Sequence, residues 1–310
     1  MVVSDEQPVA TVVVPARNCA ATIGRTIALV DEQITASGRN CEIVVVDDAS
    51  TDATHAAAQS AAEACVNPVV CVRRETRGGP NASRNTGVRA SRAPALVFLD
   101  GDDEPMTGWL VAMLDAVSGD DVIAGGAYRI ERPGREPVTI DPARVRSFRF
   151  PYALGGAMAM TRALVDRVGG FDENIRRGGT EVEFCIQAQA RHGARIVPVP
   201  GACVTYRYPM SILSRARMEF QREEGRRYLA RRLQAEGLAA PVPVPAPAPA
   251  ASPSSPPERS RRAARRARVQ RSGGWRLYAA TRIGGIAGRR YFAWRDGDLP
   301  PRRGIGASAS

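Results

Sequence analysis

Several features common in enzymes and envelope proteins are missing from this 310-residue chain. Lysine is absent, and all 43 basic residues are Arg, so the choice of Arg over Lys at any one site carries little information. Only two histidines occur, His55 and His192, far apart in the chain. That spacing argues against a histidine-based nucleophile or metal centre. The six cysteines never form Cys-x-x-Cys, which points away from zinc and from a disulfide framework, and toward a reducing, cytoplasmic setting. No apolar run approaches the roughly 18 residues needed to span a bilayer. The N-terminal stretch ending at Pro8 lacks the basic start and long apolar core of a signal peptide. The turn after the first expected strand, from Pro15 to Gly24, has no Gly-x-Gly-x-x-Gly, and no Walker loop occurs anywhere. The commonest dinucleotide and triphosphate cradles are therefore excluded.

What is present is an alternation of apolar runs and helical patterns. Strands are expected at 9–14 (ended by Pro15), 42–46, 69–73 and 95–99, with helices from about 22 to 37, 53 to 64 and onward from Ala82. This order predicts a parallel, doubly wound sheet, in which ligands sit outside the carboxyl ends of the strands. Those ends carry Pro15, Asp47-Asp48 and Asp100-Gly101-Asp102-Asp103-Glu104. In an extended chain Asp100 and Asp102 point to one side, and Gly101 lets the backbone bend and leaves room for a ligand. Two such carboxylates suit a hard divalent cation bound to phosphates; the alternative is a solvated acidic turn. Further on, a strand is expected at 122–129, a loop at 132–137, a helix at 162–168, a strand at 197–206 and a charged amphipathic helix at 210–233. Thr180 and Glu183 have the spacing of a capping box.

The net charge of +11 is unevenly placed. From Pro241 onward 14 Arg face three acids, so the preceding part is balanced. Residues 237–258 are rich in Pro and Ala and read as an extended linker. Residues 259–310 interleave Arg with aromatic residues, including Trp275, Tyr278, Phe292 and Trp294. This tail suits an anionic membrane surface, with nucleic acid or a solvated, partly disordered segment as the other readings.

The motifs Val14-Pro15-Ala-Arg17-Asn18, Val46-Asp47-Asp48-Ala-Ser50-Thr-Asp52, Gly79-Pro-Asn-Ala-Ser-Arg84-Asn85-Thr-Gly87, Phe98-Leu-Asp100-Gly101-Asp102-Asp103 and Gly169-Gly170-Phe171-Asp172-Glu173 occur in this order. Together they resemble the family 2 glycosyltransferases of the GT-A fold, from residue 9 to about 230. The resemblance implies a GT-A domain over 1–236, with a nucleotide half at about 8–104 and an acceptor half at about 105–236. It implies transfer of a sugar, with inversion, from a nucleotide-diphosphate sugar to a hydroxyl acceptor, lipid-linked or glycan, in cell-envelope synthesis. A nucleotidyltransferase or a non-catalytic sugar-nucleotide-binding scaffold is the alternative.

Pro15 and Arg17 would line the nucleotide pocket. Asp48, or its neighbour Asp47, would accept the imide hydrogen of a base such as uracil. Arg84 would reach the base or the diphosphate. Asp100 would hold the ribose or a metal-bound water, beside Gly101, and Asp102 would ligate Mg²⁺ or Mn²⁺. Gly155 and Gly156, in Leu154-Gly-Gly-Ala-Met158, resemble the family's glycine-bearing strand beside the sugar. Where the family usually shows Glu-Asp this chain has Thr180-Glu181, so Glu181 would be the general base, with Glu183 as the alternative. The implied setting is cytoplasmic, peripheral on the inner membrane face through the tail.

Overall fold

A computed structural model of the protein describes residues 6–132, 134–207, 212–238 and 300–305. These fall into two compact units divided after Tyr208, with the segment from Leu299 returning to the first. Residues 239–299, which hold most of the expected linker and the Arg-rich run, lie outside the described residues.

The first unit opens with β1 (Ala10–Ala16), α1 (Ile23–Ser37), β2 (Cys41–Asp47), α2 (Thr54–Ala64), β3 (Val69–Arg73), α3 (Pro80–Ala90) and β4 (Ala95–Phe98). Every residue of β1 and β2 is buried, as continuous apolar runs covered on both faces require. These strands pair in parallel in the order β3-β2-β1-β4. The ladder continues past β4, with Leu99 N–H donating to Val13 O (3.1 Å) and Gly101 N–H to Pro15 O (3.1 Å). β1 therefore runs through Pro15 instead of ending there. Proline lacks only the donor, and its carbonyl still serves the ladder. α3 starts at Pro80, two residues before the expected Ala82, because proline is suited to the first helical turn.

The second half carries β5 (Glu104–Pro105), α4 (Trp109–Ala116), β6 (Val122–Arg132), β7 (Arg135–Ile140), β8 (Arg146–Ser147), β9 (Phe150–Pro151), β10 (Met158–Thr161), α5 (Arg162–Val168), α6 (Thr180–His192) and β11 (Arg195–Arg207). β10 inserts antiparallel between β4 and β6, β11 pairs parallel with β6, and β5 pairs antiparallel with β11. The result is a mixed α/β fold whose parallel first half is extended by strands of both senses. The stretch expected as a loop at 132–137 is largely a hairpin: Arg132 pairs with Arg135, and Gly134 adopts φ +67°. α7 (Ile212–Ala235) belongs to the second unit.

Side chains alternate across β1, so Val12 and Val14 join one apolar cluster and Val13 another. The first packs α1 and α4 through Ile23, Ile27, Val30, Trp109 and Leu110. The second packs Phe98, Leu164, Phe171 and Phe184. α3 lies so close to β1 that a Cβ on Gly87 would overlap the Val13 side chain. An exposed helical Gly→Ala change gains up to about 1 kcal/mol, but overpacking a core costs about 1–3 kcal/mol. Gly87→Ala should therefore destabilise the protein, read as a lower denaturation midpoint. A raised midpoint would show that α3 can step away from β1.

Candidate active site

The carboxyl ends of β1 and β2 lead into two turns that are laced together. Asn18 N–H donates to Ser50 Oγ (2.9 Å), Cys19 N–H to Thr54 Oγ1 (2.8 Å) and Thr51 N–H to Asn18 Oδ1 (2.9 Å). Asn18 and Ala49 both take left-handed backbone conformations, with φ of +50° and +52°. Arg17 donates to the carbonyls of Asp48 and Ala49 (2.8 Å to the latter), so it holds the second turn in place. Asp52 accepts from the Thr54 amide at the start of α2 (3.0 Å).

The two acids at the end of β2 differ. Asp48 accepts from the amides of Gly78 and Gly79 (both 2.8 Å) and from Arg74 Nε (3.2 Å). Its carboxylate organises the loop before α3. Asp47 accepts from Ser50 N–H through Oδ1 (3.0 Å), while its Oδ2 is buried with no hydrogen-bond partner and lies 3.7 Å from Arg73 Nε. Of the pair, Asp47 keeps an oxygen without a hydrogen bond, buried beside Arg73.

Residues 100–103 do not continue extended. Asp103 N–H donates to Asp100 O (3.0 Å), closing a turn. Asp103 points inward, 1% exposed, and accepts from the Tyr128 hydroxyl (3.0 Å). Asp102 is open to the cleft at its tip. Gly101 is buried, and a Cβ there would press on Ala16 and Ile23 at 3.1–3.2 Å. This glycine therefore lets the turn approach β1 and α1, and does not make room for a ligand. The crowding shows in the protonation equilibria. Burial in the cleft walls and then the Asp100 charge push Asp102 up to about 6. Burial raises Asp100 as well, opposed by Arg84 and reinforced by Glu181. Burial and both neighbouring acids hold Asp103 well above the usual carboxylate range. The Tyr128 hydroxyl is raised likewise, first by burial and then by Asp103.

Arg84, 2% exposed, joins this turn to α6. It donates to Asp100 Oδ1 (3.3 Å), to Thr180 Oγ1 (3.3 Å) and to Asn81 Oδ1 (3.4 Å), and its guanidinium lies 5.7 Å from the Phe171 ring centre. Thr180 in turn donates to Glu181 Oε2 (2.6 Å). Thr180 is the first residue of α6, capped by left-handed Gly179, and forms no capping box. Its hydroxyl is spent on Arg84 and Glu181. Glu181 is half-buried, whereas Glu183 is fully buried and ion-paired to Arg302 Nε at 2.9 Å. Glu183 therefore does not face an acceptor, because its carboxylate is sequestered by the cation of a distant segment. Gly155 and Gly156 lie against the charged groups. A Cβ on Gly155 would overlap Arg84, and one on Gly156 would overlap the Tyr128 hydroxyl and come 3.0 Å from Asp100.

The structure thus brings together Arg84, Asp100, Asp102, Gly155, Gly156, Thr180 and Glu181. It puts Arg17 and Asp48 in supporting roles and Glu183 outside. Tyr128 and Arg74 were not expected. Asn81 and Asn85, also not singled out, lie with Arg84 and Val88 on one face of α3, at i, i+3 and i+4 spacing that the sequence does contain. The chemistry of the donor set fits a hard cation. Asp102 is exposed beside Asp100, and a cation bound there would offset both the burial and the neighbouring charge that raise its proton affinity. Among the described residues no group of three or more His, Cys, Asp or Glu side chains stands ready for a metal, so phosphate and water oxygens would complete any shell.

A sheet that ends in acidic turns around a buried arginine defines an α/β protein of the GT-A class, and solved structures carry the same fold. A mannosyltransferase from Pyrobaculum calidifontis in complex with GDP-Man and Mn²⁺ is 21% identical, with a TM-score of 0.60 over 94% of this chain and 89% of that one. S. aureus TarS in complex with UDP-GlcNAc is 18% identical, with a TM-score of 0.52 over 73% of this chain and 72% of that one. The family model for glycosyl transferase family 2 matches residues 11–166, and the chain belongs to that family. Among curated relatives, the pre-mycofactocin glycosyltransferase of Mycobacterium tuberculosis is 28% identical over 76% of this chain and 47% of its own. The succinoglycan biosynthesis protein ExoU of Rhizobium meliloti is 33% identical over 54% of this chain and 44% of its own. Glycosyltransferase AglE of Haloferax volcanii is 33% identical over 41% of each. The chain spans less than half the length of these relatives.

Removing the Tyr128 hydroxyl would leave the buried Asp103 carboxyl without its donor, a loss of about 1–3 kcal/mol. Tyr128→Phe should lower unfolding stability by that amount in a denaturant titration. An unchanged midpoint would show that the pair contributes nothing to the fold.

Proposed function

We propose that the chain transfers a sugar from a nucleotide-diphosphate sugar to a hydroxyl acceptor with inversion at the anomeric carbon. One observation carries this: Arg84 binds both Asp100, at the donor end of the sheet, and Thr180, which holds Glu181. A diphosphate site and a candidate base therefore belong to one cluster. Family membership supports the reading, as do the GDP-Man and UDP-GlcNAc named for the mannosyltransferase and for TarS.

The base of the nucleotide enters at the ends of β1 and β2, where Asp48 or its neighbour Asp47 accepts an imide hydrogen; Asp48 also shapes the pocket through Gly78 and Gly79. Arg84, whose charge is fixed, draws the diphosphate toward Asp100. Asp102, with Asp100 beside it, would hold Mg²⁺ or Mn²⁺, which supplies positive charge to the departing diphosphate. Glu181 takes the proton from the acceptor hydroxyl. That oxygen forms its bond to the anomeric carbon from the face opposite the diphosphate, and the bond to the diphosphate oxygen breaks as the nucleoside diphosphate leaves. Glu181 sits in the first turn of α6 and accepts from the Thr180 hydroxyl.

The acceptor is a cell-envelope glycan or glycolipid in this reading, and the Arg-rich tail brings the enzyme to an anionic membrane surface from the cytoplasmic side. No helix among the described residues is long and apolar enough to cross a membrane.

Turnover of a panel of UDP-, GDP- and dTDP-sugars, with the released nucleotide identified, tests the reaction. Nucleoside diphosphate is expected, whereas pyrophosphate released from a nucleoside triphosphate would indicate a nucleotidyltransferase. Asp102→Asn should keep the fold and lose most activity, and EDTA should act likewise and reversibly. Full activity in metal-free buffer would overturn the cation assignment. Glu181→Gln should lower kcat by about 10²–10⁴-fold, the usual cost of losing a positioned base, while donor affinity changes little. Near-wild-type turnover would remove Glu181 from the role.

A further inference from the structure

The segment Pro300–Ile305 lies more than a hundred residues beyond the elements it touches, yet it belongs to the first unit. It lies across the stretch that leads from α5 to α6. Ile305 N–H donates to Gly169 O (3.0 Å), Glu173 N–H to Arg303 O (2.8 Å), Arg303 N–H to Asp172 Oδ1 (3.2 Å) and Asn174 Nδ2 to Pro301 O (2.9 Å). The Ile305 side chain packs on the cluster that contains Phe98, Phe171 and Phe184. The fit depends on glycine on both segments. A Cβ on Gly304 would overlap Gly169 O, and one on Gly170, which is left-handed at φ +76°, would overlap Ile305. Arg302 forms the centre of the contact. Its Nε and Nη2 reach the two oxygens of Glu183 (2.9 and 3.3 Å), and its other donor contacts go to Val168 O (2.8 Å) and Gly170 O.

We propose that this C-terminal segment is a strap and that Arg302 is a positioning residue for the acceptor side of the site, an inference that rests on the reading of Glu181 as the base. Glu183 and Glu181 are the two acids in the first turn of α6. Arg302 neutralises Glu183 inside the protein, where an unpaired carboxylate is strongly disfavoured. Glu181 is thereby left as the carboxylate of that turn directed to the cleft. The same strap holds Asp172 and Glu173 from one side, while Asn81 and Asn85 of α3 hold Asp172 O, Phe171 O and Glu173 from the other. The residues between that anchor and Glu181 include Gly178 and Gly179, both left-handed. With the strap undocked, Glu183 must find a proton or solvent, and the start of α6 moves with it. The donor contacts on the ends of β1, β2 and β4 do not touch the strap, and Arg84 keeps its bonds to Asp100 and Asn81 when Thr180 shifts.

The test uses the full chain with Arg302→Gln, Arg302→Lys, Glu183→Gln and the Arg302→Gln/Glu183→Gln pair. Misplacing a reacting group by about 1 Å can cost on the order of 100-fold in rate, so kcat of Arg302→Gln should fall between about 10- and 100-fold. Donor affinity, measured by calorimetry, should stay within about twofold if the donor contacts do not move. Arg302→Lys should recover part of kcat, and the double variant should be no worse than Arg302→Gln, because the two residues act as one pair. Hydrogen exchange at the Glu173 and Ile305 amides reports strap docking without reference to activity, and it should quicken in Arg302→Gln. Wild-type kcat with quickened exchange would overturn the positioning role, and unchanged exchange would overturn the strap itself. A proportional loss of donor affinity would make Arg302 a general support of the fold. If Glu181→Gln is as active as wild type, the base assignment and the positioning claim fall together, while the exchange data still decide whether the strap docks.

Discussion

The buried guanidinium of Arg84 is the constraint on which the rest of the site depends. A full positive charge withdrawn from water to 2% exposure persists only where charge and hydrogen-bond acceptors replace the lost hydration. Asp100 supplies the charge, Asn81 and Thr180 supply acceptors, and the face of Phe171 supplies a polarisable wall. These partners come from α3, the end of β4, the start of α6 and the stretch before it. Gly155 completes the enclosure from a further direction, since any side chain there would displace the guanidinium. The arginine thus links the start of α6 in the second half of the unit to the end of β4 in the first.

The acids on the cleft floor divide their labour by direction. Asp103 turns inward to Tyr128 and is kept toward its neutral form by burial and its neighbours. Asp102 turns outward, and its desolvation, then the Asp100 charge beside it, make its carboxylate hold a proton more firmly than an isolated one would. The same repulsion favours any cation that can stand in for the proton. Arg84 already relieves Asp100 from one side, which leaves Asp102 as the oxygen donor with the most to gain. Two chemically identical residues, one position apart, acquire different roles because a turn, not a strand, joins them.

Much of this was legible in local sequence. Apolar runs located the parallel strands to within a residue or two, and Gly38 and Gly169 marked helix ends through their left-handed backbones. What local reading missed depends on partners far away in the chain. Thr180 and Glu183 have the spacing of a capping box, but Thr180 is claimed by Arg84, 96 residues earlier, and Glu183 by Arg302, 119 residues later. The bonds of Asp48 to the amides of Gly78 and Gly79, and the burial of Asp47 Oδ2 beside Arg73, likewise depend on residues well beyond the motif. The hairpin at 132–135 was hidden because proline and glycine signal a turn without saying whether the flanking residues pair. The polar face of α3 was written plainly as Asn81, Arg84 and Asn85. It was not read because buried polar faces are rare enough that helical periodicity is usually sought in apolar residues alone.

The two sides of the cleft are held by different physics. On the nucleotide side, the turns after β1 and β2 are stitched by amide and hydroxyl bonds, and two non-glycine residues are held in left-handed conformations. Such conformations cost on the order of 1–3 kcal/mol each and persist only where surrounding bonds over-determine them. That side is therefore rigid by construction. On the other side, α6 starts after left-handed glycines and is fixed by contacts from α3 and from the returning C-terminal segment. Its position depends on a few long-range bonds, each of which can be made or lost singly. A fold organised in this way can present one invariant shape to the donor, while the geometry opposite it is set by segments that pack from outside the sheet.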